Sequence, residues 1–348
     1  MSDISIRKAG RTGRITLTRP KALNALTYEM CLAIDAALAE WAADDTVAML
    51  VIDAEGEKAF CAGGDIAEMY ATGTSGDFAY GRRFWRDEYR MNARLFEFPK
   101  PVASFLQGFT MGGGVGIGCH GSHRVVCESS RIAMPECGIG LIPDVGGSLL
   151  LARAPGRLGA YLGTTGTRMG PADALHAGFA DHFVPAEAWP DLIADLERTG
   201  EATRIGAAAT TPPAGGMAAL QPEIDRLFAG ETLSDILNAL RAEDTAFSAT
   251  TLAALLRNAP LAMACTLEIA RRMGKTDGIR AALDLEYRFT WRAMEHGDFL
   301  EGIRAAIIDK DRAPRWRHGL AEVTPAMVDA MLRPLGKDAL TFDREDTA

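Results

Sequence analysis

Long apolar runs and paired cysteines are both missing from this sequence of 348 residues. No window approaches the roughly eighteen uninterrupted apolar residues of a membrane-spanning helix, and the start MSDISIRKAG lacks the apolar segment of a secretion signal. The six cysteines are scattered, without a CxxC pair, as is typical of proteins from a reducing compartment. The sequence therefore predicts a cytoplasmic protein with neither a membrane span nor a signal peptide.

An excess of basic charge is also missing. Lysine and arginine together number 37 against 46 acidic residues, and the formal net charge is -9. A nucleic-acid binder needs a basic stripe that neutralises phosphates, so nucleic acid is excluded as an expected partner. A small anionic ligand is not excluded, because a few local basic residues are enough to bind it.

Residue patterns for metal binding and for serine or cysteine nucleophiles are weak. His120 and His123 are the only close histidine pair, and their spacing without a third ligand is poor evidence for a metal site. No serine or cysteine lies in a nucleophile-elbow motif. We expect no metal, and the remaining candidates for chemistry are carboxylates.

Hydrophobic residues make up 48% of the chain and charged residues 24%, which suits a folded protein with a large core. Helical patterns alternate with strand-like segments up to about Val184, which predicts an α/β fold with a mostly parallel sheet. The predicted strands are Ile4–Arg7, Arg14–Thr18 (after a turn at Gly13), Val47–Ile52, Val102–Leu106 and Arg124–Cys127. After Pro185 only helical patterns remain. We predict an α/β core over residues 1–204, a linker at about 205–216 and a helical C-terminal extension over 217–348.

The segment from Gly108 to Gly118 holds too many glycines for an ordinary helix or strand. Gly116 to Gly121 also matches the GxGxxG pattern of dinucleotide-binding proteins. That pattern must open a helix directly after a strand, and here it runs straight into the strand predicted at Arg124. A nicotinamide cofactor is therefore not expected.

Four stretches, taken together, resemble the crotonase (enoyl-CoA hydratase/isomerase) superfamily. They are Arg19–Leu26 (RPKALNAL), Phe60–Asp65 (FCAGGD), Thr110–Gly116 (TMGGGVG) and Met134–Gly147 (MPECGIGLIPDVGG). The resemblance implies a crotonase-like ββα spiral core and a coenzyme A thioester as substrate, so CoA arrives with the substrate and no separate cofactor is expected. It also implies an oxyanion hole from the backbone N–H groups of Ala62 and Gly113, a kind of site worth several kcal/mol to the reaction. The implied substrate contacts are Lys21, Ala22, Leu23, Gly64 and Asp65.

Hydratases of this superfamily use two glutamates to add water to a double bond. One corresponds to Glu136, whereas the position of the other, three residues after Gly113, is Gly116 here. A hydratase would lack half of its acid–base pair. The chain instead resembles a branch that hydrolyses 3-hydroxyisobutyryl-CoA in valine breakdown, whose site positions correspond to Glu88, Gly113, Glu136 and Asp144. That branch has a C-terminal extension matched here by Asn258–Leu261, Asp298–Gly302 and Ile308–Trp316.

The sequence leaves several roles open. Glu136 can attack the thioester as a nucleophile or activate water as a general base. Asp144 can bind the 3-hydroxyl of the substrate, activate water, or simply cap a helix. Glu88 lies in an arginine-rich segment, where a solvated carboxylate is equally expected.

Two other functions stay open beside hydrolysis. One is an enoyl-CoA hydratase or isomerase that uses Glu136 with Asp144, and the other is a protein of this fold that binds acyl-CoA without catalysis. The resemblance also allows a homo-oligomer, because members of the superfamily commonly assemble into trimers.

Overall fold

The structure is a computed structural model that describes residues 3–342. Residues 1, 2 and 343–348, at the outer ends of the two predicted domains, lie outside this range. In this described part of the chain, nine strands form two sheets. They are β1 (Ile4–Ala9), β2 (Thr12–Leu17), β3 (Met49–Ala54), β4 (Ala59–Cys61), β5 (Val102–Phe105), β6 (Phe109–Met111), β7 (His123–Val126), β8 (Arg131–Ala133) and β9 (His182–Phe183).

The larger sheet has the strand order β1-β2-β3-β5-β7-β9. Only the pair β1 and β2 is antiparallel, and the other neighbours are parallel, which confirms the predicted mostly parallel sheet. The turn between β1 and β2 contains Gly10, whose φ is 56°, and Gly13 lies inside β2. The prediction of a turn at Gly13 is therefore wrong.

The central strands of this sheet are apolar in sequence because they are buried in its core. Five of the six residues of β3 are buried, as expected for a strand that is covered on both faces. Val51, Phe105 and Val125, from three neighbouring strands, belong to one buried cluster that also includes Trp189 and Leu196.

Sixteen α-helices lie within the described range. They are α1 (Tyr28–Ala42), α2 (Ala67–Thr74), α3 (Ala79–Phe96), α4 (Gly113–Gly118), α5 (Gly147–Arg153), α6 (Leu158–Thr165), α7 (Pro171–His176), α8 (Trp189–Thr199), α9 (Thr203–Ala208), α10 (Met217–Leu227), α11 (Leu233–Arg241), α12 (Ala246–Leu255), α13 (Pro260–Arg272), α14 (Ile279–His296), α15 (Phe299–Ile303) and α16 (Pro325–Leu332). Within residues 3–342 no strand follows β9, which confirms the helical C-terminal region.

The glycine-rich segment forms regular structure, contrary to expectation. It contains β6, the middle strand of the smaller sheet, followed by α4, and that sheet has the order β4-β6-β8. A Cβ on Gly114 would lie 2.2 Å from the carbonyl oxygen of Cys61. Glycine is needed here because α4 packs directly against the backbone of β4. The GxGxxG pattern at Gly116 to Gly121 does not open a helix, because it lies at the end of α4 and β7 begins at His123.

The chain forms two compact units that are not consecutive in sequence. Within residues 3–342, the first contains residues 3–65, 91–133 and 168–219, and the second contains 66–90, 134–167 and 220–342. The boundary predicted near residue 204 does not coincide with this division, because segments at 66–90 and 134–167 belong with the C-terminal helices. Part of the predicted linker is helical, in α9.

No single helix of residues 3–342 is long and apolar enough to cross a membrane. Helices α12 and α13 meet the criterion only as a pair, and a bend of 110° separates them.

Candidate active site

In the first unit, a tightly held turn carries the predicted CoA contacts. Leu23 and Asn24 both have left-handed backbones, with φ of 52° and 54°. The buried Asn24 side chain holds this strained turn by donating to the carbonyls of Glu55 and Ala59, both at 2.9 Å. Lys21 and Ala22 are exposed and Leu23 is half-buried, so these predicted contacts lie at the surface on a fixed turn.

The residues that follow β4 include Ala62, one of the two predicted donors of the oxyanion hole. The N–H of Ala62 donates to the carbonyl of Leu23 at 3.0 Å. That donor is already used, which argues against the predicted oxyanion role of Ala62. The signal that could have shown this is the turn itself. The turn that carries the predicted CoA contacts needs a backbone donor, and Ala62 supplies it.

Gly64 offers a better donor two residues further on. It forms a parallel bridge with Leu26, in which Leu26 N–H donates to Gly63 at 2.9 Å and Asp65 N–H donates to Leu26 at 2.8 Å. In such a bridge the residue between the two bonded neighbours directs its own N–H away from the partner strand. The Gly64 N–H therefore points away from Leu26. Asp65 accepts a bond from Arg19 at 3.1 Å, so its carboxylate has a structural partner.

Gly113 is the first residue of α4 and follows Gly112, whose φ is 50°. The N–H groups of Val115 and Gly116 donate to the Gly112 carbonyl at 2.7 and 3.2 Å. The N–H of Gly113, at the first helical position, has no carbonyl within the helix to receive it. It is oriented outward from the start of the helix, as an oxyanion donor requires.

In the second unit, Glu136 opens a short 3-10 turn, Glu136–Ile139. Its side chain is only 4% exposed, and within residues 3–342 its Oε2 atom has no hydrogen-bond partner. Burial raises the pKa of the Glu136 carboxyl well above its ordinary value, and the charge of Asp144 adds to the rise. A buried carboxylate atom without a partner is costly in a protein that does not use it.

Asp144 lies on the loop between that turn and α5, and it is 4% exposed. The hydroxyl of Tyr89, from α3, donates to its Oδ2 at 2.7 Å. Burial raises the pKa of the Asp144 carboxyl to about 7, and the bond from Tyr89 offsets part of the rise. The N-cap position of α5 is occupied by Gly146, so the structure gives Asp144 no role as a helix cap.

Glu88, the residue before Tyr89 on α3, is buried and 4% exposed. The expectation of a solvated side chain is therefore wrong. The neighbouring arginines Arg86 and Arg90 pair with Asp87. Burial raises the pKa of the Glu88 carboxyl well above its ordinary value, with a contribution from Asp144.

Two residues of this cluster were not found from the sequence. Tyr89 directly follows Glu88 in the sequence but was assigned no role. Glu286, on α14, is fully buried, and burial raises its pKa to about 8. The available signal was its position three residues after Leu283 and one before Tyr287, two apolar residues that are buried on α14. An acid on an apolar helix face marks a buried carboxylate with a special role.

The comparisons with known proteins identify the family of the chain. A family profile described as enoyl-CoA hydratase/isomerase matches residues 12–332. The chain therefore belongs to the enoyl-CoA hydratase/isomerase family, as its four motifs predicted.

Two curated relatives are named as hydrolases of 3-hydroxyisobutyryl-CoA. A protein from Gallus gallus named 3-hydroxyisobutyryl-CoA hydrolase, mitochondrial, is 36% identical over 97% of this chain and 91% of its own length. The Homo sapiens protein of the same name is 34% identical over 98% of this chain and 91% of its own length.

Solved structures with the same fold carry other names. An enoyl-CoA hydratase from Rhodobacter sphaeroides 2.4.1 is 61% identical, with a TM-score of 0.94 over 98% of this chain and 100% of that one. A carnitinyl-CoA dehydratase from Mycobacterium thermoresistibile is 41% identical, with a TM-score of 0.94 over 99% of this chain and 100% of that one. The crotonase fold is confirmed over nearly the whole chain.

Proposed function

We propose that this protein hydrolyses 3-hydroxyisobutyryl-CoA, or a closely related short 3-hydroxyacyl-CoA, to the free acid and CoA in valine catabolism. The observation that carries the proposal is that Glu136 is present, whereas Gly116 occupies the position of the second glutamate of a hydratase. The first is a buried carboxylate with an unpaired oxygen atom, and the second leaves no side chain where a hydratase has its other glutamate. One unpaired carboxylate suits attack on a thioester better than the concerted addition of water.

The proposed chemistry centres on Glu136. As a nucleophile it attacks the thioester carbonyl, the C–S bond breaks to leave a mixed anhydride, and the CoA thiolate takes a proton from water; water then cleaves the anhydride and restores the carboxylate. As a general base it takes a proton from water, whose oxygen attacks the carbonyl, and when the C–S bond breaks the proton passes to the CoA sulfur. In both routes negative charge develops on the carbonyl oxygen, and we assign its stabilisation to the N–H groups of Gly64 and Gly113.

We assign recognition of the substrate's 3-hydroxyl to Asp144. Its Oδ2 accepts from Tyr89, which orients the carboxylate and leaves lone pairs for a second donor. A substrate hydroxyl supplies that donor. Glu88 is a further proposed substrate contact, since it is buried beside Asp144 in charge interaction with it. Lys21, Ala22 and Leu23 remain the proposed contacts for the nucleotide end of CoA.

Hydration of an enoyl-CoA is the second candidate function. The name of the Rhodobacter sphaeroides structure, at 61% identity, supports it. The absence of a carboxylate at Gly116 weighs against it, because Glu136 alone cannot serve as both acid and base in the same step.

A thiol-release assay separates these functions. The wild-type protein is given 3-hydroxyisobutyryl-CoA and crotonyl-CoA in parallel, with free thiol and enoyl absorbance both followed. The proposed hydrolase releases thiol from the first and leaves the absorbance of the second unchanged. Loss of enoyl absorbance without thiol would establish the hydratase instead, and neither signal would establish a non-catalytic binder.

The cytoplasmic location remains a prediction, since vertebrate relatives are named as mitochondrial proteins. The absence of a separate cofactor and the capacity to form a homo-oligomer also remain predictions.

A further inference from the structure

The loop that carries Asp144 has an unusual backbone. Val145 and Gly146 both have left-handed conformations, with φ of 53° and 80°. A β-branched residue such as valine rarely adopts this conformation, which costs on the order of 1 kcal/mol or more. The loop then enters α5 at Gly147, whose N–H donates to the Asp144 carbonyl at 2.7 Å. Something outside the loop must hold it in this shape.

The carboxylate of Glu286 holds the loop from the C-terminal region. Its Oε2 accepts the N–H of Gly146 at 2.8 Å, and its Oε1 accepts the N–H of Ser148 at 3.0 Å. The hydroxyl of Ser148 also bonds to Oε1. Both oxygen atoms of the fully buried Glu286 carboxylate therefore accept hydrogen bonds from a segment of three residues that begins two positions after Asp144.

We propose that Glu286 is a positioning residue for the reaction, which fixes the loop and so the direction of the Asp144 carboxylate. This inference rests on the proposed function and adds to it a role for the C-terminal helix α14. Tyr89 contacts the same carboxylate directly, through its hydroxyl. Glu286 on α14 therefore holds the backbone two and four residues after Asp144, and Tyr89 on α3 holds the Asp144 side chain.

A simpler role for Glu286 would be to cap α5. Helix starts are usually capped by a local serine, threonine or aspartate, as Thr232 caps α11 in this same unit. At α5 the N-cap residue is Gly146, without a side-chain cap, and the acceptor comes from 140 residues away. A cap alone also requires no left-handed valine beside a catalytic carboxylate. The arrangement suits control of the loop's shape.

Glu286→Gln tests the proposal, because the amide keeps the size but replaces one acceptor oxygen with a donor that faces a backbone N–H. We expect kcat for 3-hydroxyisobutyryl-CoA to fall about 100-fold, since a displacement of about 1 Å costs this much. KM should stay within about 3-fold. The preference for this substrate over isobutyryl-CoA should fall at least about 10-fold, because Asp144 no longer faces the hydroxyl.

Two control variants separate positioning from stability. Ser148→Ala removes one donor and keeps both backbone bonds, so kcat should stay within about 3-fold of the wild type. Thr232→Ala removes the side-chain cap of α11 and should lower Tm without changing kcat or substrate preference. If Glu286→Gln does not fold, Glu286→Asp keeps the charge, shortens the reach, and is expected to show the same losses.

Hydrogen exchange supplies a readout that is independent of activity. The amides of Gly146 and Ser148 should exchange faster in Glu286→Gln than in the wild type, whereas those of α11 should not. A variant with lower Tm and faster amide exchange but unchanged kcat and substrate preference would overturn the proposal and leave Glu286 only a cap of α5. Failure of the wild type to hydrolyse either thioester would overturn the proposed function alone, because exchange still decides whether Glu286 holds the loop.

Discussion

Two regions of the second unit each contain a buried glutamate, and the two are bonded in opposite ways. At the 3-10 turn, Glu136 leaves Oε2 without a partner among residues 3–342. On α14, both oxygen atoms of Glu286 accept bonds from the protein. The comparison teaches that burial alone does not identify a reactive carboxylate. The one with spare hydrogen-bonding capacity can act on a substrate, and the saturated one can only shape its surroundings.

Removing the reactive carboxylate should have the largest effect. We expect Glu136→Gln to lower kcat by about three orders of magnitude or more, because the amide is neither a nucleophile nor a base. Binding of CoA should stay within a few-fold. Steady-state thiol release measures the first, and product inhibition by CoA measures the second.

The exposed Glu187→Gln is the matched control for that experiment and should leave both values unchanged. Near-normal turnover by Glu136→Gln would remove Glu136 from the mechanism and end the contrast between the two glutamates.

The pH dependence sharpens the same comparison. Burial raises the pKa of Glu136 well above its ordinary value and that of Asp144 to about 7. The Asp144 carboxyl is therefore increasingly protonated as the pH falls below 7, and the Glu136 carboxyl takes up its proton at a higher pH than an ordinary glutamate does. A protonated carboxyl is neither a nucleophile nor a base. We expect kcat/KM to be at least about tenfold lower at pH 5 than at pH 8. A profile that is flat from pH 5 to pH 8 would show that neither raised pKa governs the reaction.

A smaller effect is expected from Tyr89→Phe, which removes the direct bond to Asp144 and keeps the ring. We expect kcat/KM for the hydroxylated substrate to fall about 10-fold, as for one hydrogen bond to a charged group. The bond from Tyr89 lowers the pKa of Asp144, so its loss should move the acidic limb of the pH profile to higher pH. If the acidic limb of the pH profile does not move, a group other than Asp144 determines it.

Much of this fold could be predicted because its signals are local. The apolar run over β3 and the Thr27 cap of α1, where Met30 N–H donates to the threonine hydroxyl, depend on neighbouring residues alone. Glu136 and Asp144 were found through motif resemblance. The glycine-rich segment was misjudged because its glycines are required by the close approach of β4, a contact that no local pattern reveals.

The rest of the site depends on long-range partners. Whether Ala62 or Gly64 has a free N–H is decided by Leu23 and Leu26 on another segment. The sequence left Glu88 open between a substrate contact and a solvated side chain, because arginines surround it, but on α3 Arg86 and Arg90 pair with Asp87. Glu286 contacts residues about 140 positions earlier, so its role could not be inferred from spacing. Burial and hydrogen-bond satisfaction follow from tertiary structure, and they decide these cases.

The central claim is that Asp144 selects a hydroxylated substrate on which Glu136 then acts. The most direct test compares kcat/KM for 3-hydroxyisobutyryl-CoA and isobutyryl-CoA in the wild type and in Asp144→Ala. A site built to bond a hydroxyl strongly rejects the analogue without it, since its buried partner is left unpaired. We predict at least about a 100-fold preference in the wild type and a much smaller one in the variant. Equal efficiencies in the wild type would contradict the account.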